Sequence, residues 1–181
     1  MIKTALVLEL FFNQPTKRWH FEQIIEAVDI SRPQAAYWLK KFAKEKLVKR
    51  VKQQGKMPYY LGNYEHPNYQ TKKRLFALQK MDVAGFLNHL TALPNAQTVI
   101  IFGSFARWDW RKDSDIDLFV YGNDAGLEQG KYELKLRRDI QVFTAKNKEE
   151  LKKFRPALLR NILEGYRVKG RLDFVEVEAH A

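Results

Sequence analysis

The chain has 181 residues, 45% hydrophobic and 29% charged, enough for one or two cored domains and too apolar for disorder to dominate. It contains no Cys, which excludes disulfides and thiolate metal sites. The apolar stretch from Ala5 to Phe12 is broken by Glu9. It is too short to span a bilayer and lacks a small-residue cleavage site, so a cytoplasmic protein with no membrane association is expected.

The net charge of +11 is uneven: residues 1–64 carry twelve Lys/Arg against five Asp/Glu, and 32–56 carry nine basic residues against Glu45 alone. A focused basic patch attracts polyanions through counterion release, although a solvated basic surface has the same composition.

The first predicted helix covers 3–12 and is broken by Asn13-Gln14-Pro15-Thr16. A second covers Phe21 to Val28, with Ile24, Ile25 and Val28 on one face. Ser31-Arg32-Pro33-Gln34 predicts a capping box, with Ser31 as N-cap and Gln34 at the third helical position. Ala35, Leu39 and Phe42 then follow at helical spacing, facing a core. That leaves Arg32, Gln34, Ala36, Tyr37, Lys40 and Lys41 outward, with Tyr37 and Trp38 expected to be partly packed. Leu47–Val51 and Tyr59–Leu61 read as two strands joined by Gln53-Gln54-Gly55-Lys56.

Two helices, a turn, a third helix and a hairpin over residues 1–62 resemble the winged helix-turn-helix family. The stretch from Ser31 to Phe42, followed by Leu47-Val48, carries the resemblance. Lys46 departs from it, standing where a glycine usually ends the helix. The resemblance implies a reader of double-stranded DNA, with a homodimer as an open option. Arg32 could pair with guanine and Gln34 with adenine; Lys40, Lys41, Lys44, Lys52 and Lys56 suit phosphates, with Tyr37 also on the exposed face. A protein-docking module is the alternative.

Gly62–Asn68 is turn-rich, and residues 63–96 read as a helical connector with Phe76, Val83, Leu87 and Leu90 near one face and a kink or split at Gly85. The four histidines show no metal-ligand spacing. Residues 97–181 then form a separate domain. Thr98–Phe102 is a continuous apolar strand, Gly103-Ser104 a tight turn into a short helix, and Asp115–Val120 a second strand. Gly103 allows a ligand close to the backbone, and Arg107, Arg111 and Lys112 add positive charge. Strand alternation puts Asp115 and Asp117 on one face, roughly 6.6 Å apart along the strand. That spacing suits a magnesium pair about 3.5–4 Å apart.

Gly103-Ser104, ten residues, then Asp115-x-Asp117, with Phe102, Ala106-Arg107 and Ser114 around them, resembles the minimal nucleotidyltransferases of the DNA polymerase beta superfamily over about residues 97–178. The resemblance implies an α+β fold, a nucleotidyltransferase-like mixed β-sheet with flanking helices behind the winged helix. It implies that Gly103, Ser104 and Arg107 hold a nucleotide, ATP or another NTP, and that Asp115 and Asp117 are catalytic and bind Mg²⁺. It further implies transfer of a nucleoside monophosphate, with AMP expected, to a hydroxyl of a protein or other acceptor. Proteins of this kind often act as autoregulating antitoxins that modify a helical toxin partner.

Two departures bear on turnover. Trp108 stands where a glycine is usual, and its indole is expected to reshape or partly close the site mouth. Gln141, on the strand Ile140–Phe143, stands where a third carboxylate is usual; Asp139 reads as a surface residue. The alternative function is a transcriptional regulator whose transferase domain senses a nucleotide or is purely structural. A helix over 148–164, interrupted by Pro156, and a last edge strand over 172–177 complete the expectations.

Overall fold

The computed structural model describes residues 3–172 and 174. The chain is α+β and divides into two compact units: residues 1–76 with 110–112, and 77–109 with 113–181. No described helix is long and apolar enough to cross a membrane.

The first unit opens with α1 (Lys3–Asn13), which buries Val7, Leu8, Phe11 and Phe12 along one face. The two-residue strand β1 (Trp19–His20) leads into α2 (Phe21–Val28) and α3 (Arg32–Lys44). The capping box expected at Ser31 is present: Ser31 Oγ accepts from Gln34 N–H at 3.4 Å, and Gln34 Oε1 accepts from Ser31 N–H at 3.1 Å. Ala35, Leu39 and Phe42 are buried as their spacing requires. The helix ends in a Schellman motif, Leu47 N–H reaching Phe42 O and Lys46 N–H reaching Ala43 O, with Lys46 left-handed at φ 62°. The position suits glycine, and the buried Leu47 anchors the turn in spite of the lysine.

Strands β2 (Val48–Val51) and β3 (Tyr59–Gly62) pair antiparallel, and β1 joins on the other side of β3, giving the order β1-β3-β2. Tyr69, on α4 (Pro67–Val83), donates its hydroxyl to Phe11 O at 2.7 Å, and burial pushes its pKa up. Lys73, also on α4, is buried. Its ammonium donates to Trp110 O at 2.5 Å and lies 4.4 Å from the Trp110 ring, so the cation is met by a carbonyl and an aromatic face.

In the second unit, Gly85 at φ 77° separates α4 from α5 (Phe86–Ala92), the split its position in the helical run allows. A four-stranded sheet follows in the order β6-β5-β4-β7. Its strands are β4 (Ala96–Phe102), β5 (Ile116–Gly122), β6 (Ile140–Ala145) and β7 (Tyr166–Lys169). Pairings of β4 with β5 and β7 are antiparallel; β5 with β6 is parallel, the chain crossing over through α7 (Gln129–Leu136). The short α6 (Gly103–Arg107) follows β4. The expected C-terminal helix is two pieces, α8 (Lys148–Leu151) and α9 (Pro156–Leu163), with Pro156 at the start of the second.

One sheet face carries a core of Ile100, Phe102, Phe119 and Ala145 with Leu151, Ile162 and Phe174. By alternation the other presents Ile116, Leu118 and Val120, all buried. Two expectations change, and a third lies mostly outside the described residues. The second strand starts at Ile116, so Asp115 precedes it. The edge strand is Tyr166–Lys169, and the strand expected over 172–177 falls mostly outside the described residues. Tyr37, expected to be partly packed, is 61% exposed.

Phe119 is fully buried, with ring centroids 6.1 Å from Phe154 and 5.9 Å from Phe174. Phe119→Ala is expected to destabilise the protein by about 3–5 kcal/mol, the usual cost of a large core deletion. Truncating the exposed Leu134 should change stability by less than about 0.5 kcal/mol. Denaturant midpoints of the two variants check both.

Candidate functional site

Strand pairing brings the two sequence signals together. Asp117 stands opposite Phe102, the last residue of β4, so the Gly103-Ser104 turn begins beside it. Gly103 has φ 67° and is buried, and a Cβ on it would overlap Asp117 Oδ2. The close approach that glycine permits here is made by the protein's own carboxylate. Glycine serves twice at this position, supplying the left-handed turn and leaving the seat for Asp117.

Asp115 and Asp117 are both half-buried. The Asp117 pKa is raised, chiefly by burial and further by the neighbouring charge of Asp115, and Arg107 works against both. Arg107 is exposed, with Nη1 donating to Asn161 Oδ1 at 3.1 Å and Nε lying 3.4 Å from Asp109 Oδ2. Asn161, on α9, is a residue sequence reasoning missed; only the tertiary fold places it beside Arg107. Ser104 is half-buried, and its carbonyl accepts the Trp108 N–H that ends α6.

The residue beside Asp117 on its other flank is Gln141, in parallel register and exposed. A neutral amide thus stands next to Asp117 on β6. Asp139 is exposed and gives its backbone carbonyl to Ile116 N–H at 2.9 Å. No group of three or more His, Cys, Asp or Glu able to hold a metal gathers among the described residues. The two aspartates still fit a hard divalent cation. Their oxygens are the right donors, and a cation relieves the repulsion that raises the Asp117 pKa. Magnesium commonly takes only one or two carboxylates and fills its remaining positions with water and phosphate.

Trp108 adopts φ 61°, which explains why glycine suits that position. Its ring meets Tyr166 of β7 edge-on at 6.3 Å, across β4 from the strand that carries Asp117. Arg111 and Lys112, expected to add charge beside the turn, fall in the first unit, where Lys112 N–H donates to Asn13 O. The described histidines have structural partners: His20 caps α2, His66 accepts from Asn68 N–H, and His89 accepts from Glu128 N–H at 3.1 Å.

In the first unit, Arg32, Gln34, Tyr37, Lys40, Lys41 and Lys44 are exposed on α3, and Lys52 and Lys56 on the β2–β3 turn. Arg32 pairs with Glu22 at 2.6 Å. Gln34 Oε1 is committed to the cap of α3, the oxygen a bidentate adenine contact would need.

A search of curated proteins finds no match. The family model described as "Polymerase beta, Nucleotidyltransferase" matches residues 87–178. That span begins within α5, takes in the turn, both aspartates and the strand of Gln141, and covers just over half of the 181 residues: the chain belongs to the polymerase beta nucleotidyltransferase family.

Proposed function

We propose that the second unit is a nucleotidyltransferase that moves a nucleoside monophosphate from an NTP to a hydroxyl. AMP is the proposed group, and the acceptor is a protein or another hydroxyl-bearing molecule. The observation that carries this reading is the seat of Asp117 against Gly103, with Asp115 two residues away. Gly103, Ser104 and Arg107 would hold the triphosphate, Arg107 being steadied by Asn161. Asp115 and Asp117 would hold Mg²⁺, which when bound stabilises charge developing on the phosphoryl oxygens. The acceptor oxygen bonds to the α-phosphorus as the bond to the bridging oxygen breaks, pyrophosphate leaves, and the acceptor proton passes to solvent.

Gln141 supports a second reading. An amide cannot take that proton as a carboxylate could. A domain that binds a nucleotide without turnover would leave a transcriptional regulator. The first unit, on either reading, is proposed as a winged helix-turn-helix that binds duplex DNA. Its α2–α3 pair, hairpin and exposed cations support this. Lys40, Lys41, Lys44, Lys52 and Lys56 would meet phosphates. Arg32 and Gln34 would read bases once released from Glu22 and the cap. A DNA reader joined to a transferase suits an autoregulating antitoxin acting on a helical toxin, in the cytoplasm.

With labelled ATP, Mg²⁺ and candidate acceptors, wild type is expected to transfer label and the double variant Asp115→Ala/Asp117→Ala to transfer none. Gln141→Asp should raise the rate by up to about 100-fold, the low end of what a placed acid–base group contributes. Nucleotide binding without transfer by either wild type or Gln141→Asp would decide for the regulator.

The raised Asp117 pKa means the folded protein favours its protonated form, so ionisation costs stability. That cost is absent below the ordinary aspartate range and grows as pH rises through the raised value. Asp117→Asn should therefore melt higher than wild type without Mg²⁺, by a margin that widens with pH, and should lose Mg²⁺-dependent stabilisation. Parallel melting curves across pH would contradict this.

Lys40→Ala/Lys41→Ala/Lys44→Ala should weaken duplex binding and flatten its salt dependence by about 0.9 log units per lost phosphate contact. If wild type binds no duplex even at low salt, the first unit is a protein-docking module.

A further inference from the structure

Asp115 lies outside the ladder that fixes its neighbour. The first ladder residue of β5 is Ile116, whose N–H donates to Asp139 O at 2.9 Å. The position of Asp115 therefore depends on what holds Ser114, the residue before it. Ten residues separate Asp115 from Ser104, too many for the loop alone to set their spacing.

We propose that Arg138 is the positioning residue that holds the two halves of the site together. Its Nη1 donates to Ser114 O at 2.9 Å, and its guanidinium carbon lies 5.4 Å from the Phe105 ring centroid. Ser114 directly precedes Asp115, and Phe105 directly follows Ser104. One side chain thus fastens the segment entering Asp115 to the helix begun by Gly103 and Ser104. Arginine suits this because its planar group can donate in its plane while an aromatic ring meets its face.

The backbone under Arg138 is itself fixed. Helix α7 ends with Arg137 left-handed at φ 54°, its N–H on Glu133 O, and Arg138 N–H also reaches Glu133 O at 3.2 Å. Glu133 Oε1 accepts from Ile140 N–H at 3.0 Å and from Gln129 Nε2 at 2.9 Å, tying the start of β6 to the same helix. The guanidinium projects from a turn pinned on both sides, as a positioning group requires. Its effect on nucleotide affinity rests on the transferase reading; its effect on the loop does not.

The test compares wild type, Arg138→Lys and Arg138→Ala in the full-length protein. Three readouts are used: melting temperature, amide hydrogen exchange, and affinity for Mg²⁺ with a non-hydrolysable ATP analogue. Both variants should stay folded and exchange faster only over residues 103–118. Affinity should fall about tenfold, the scale of one charge-assisted hydrogen bond. Millimolar methylguanidine should restore affinity and protection to Arg138→Ala, and methylamine should not. Unchanged exchange over 103–118 overturns the proposal. So does faster exchange spread evenly over the sheet, or loss of the fold in both variants, since each makes Arg138 a general stabiliser. If wild type binds no Mg²⁺–nucleotide, the transferase reading fails, and the exchange result still decides for or against the clamp.

Discussion

The carboxylate of Asp117 rests where a side chain on residue 103 would be, and the rest of the candidate site depends on that seat. It requires glycine at 103, a left-handed turn leaving β4, and a β4–β5 register that pairs Phe102 with Asp117. A shift of one residue would send Asp117 to the opposite, buried face and turn Ile116, Leu118 and Val120 out of it. The apolar strands prevent that shift, because each buries its own alternate set of side chains. Packing of Ile100, Phe119 and Ala145 farther along the same sheet face thereby positions charge at the end where Phe102 pairs with Asp117.

The seat has an energetic cost. Burial and Asp115 both oppose ionisation of Asp117, and Arg107 only partly offsets them. A cation would relieve the strain that the protein alone leaves in place, which is the usual trade between stability and function in a site. Gln141 limits how much anionic charge the chain adds beside that pair. In parallel register with Asp117 it extends the polar row across the sheet without extending the charge.

In the first unit, side chains suited to recognition also have structural tasks. Gln34 caps α3 and Arg32 pairs with Glu22. The lysines farther along α3 and in the β2–β3 turn are exposed and carry the basic character seen in the composition. The α3 lysines proposed to meet phosphates and the two side chains proposed to read bases thus occupy different parts of the same helix.

Much of this was legible in the residues themselves. The capping box at Ser31, the core spacing of Ala35, Leu39 and Phe42, the break at Gly85, and the Gly-Ser and Asp-x-Asp pair are local signals, because caps, periodicity and turns act over a few residues. Elements with weak local pattern were not legible. The strand Trp19–His20 is too short for a period, and α7 buries only Tyr132 and Leu136 while Leu134 is exposed. The edge strand Tyr166–Lys169 has no fully buried residue to mark it. The seat of Asp117, the Asn161 bond to Arg107 and the Arg138 bridge join residues distant in the chain. The sequence determined which chemical groups are present and how each segment curls; strand register and helix packing decided which of them meet, because those contacts form only when the whole sheet is paired and its two faces are buried.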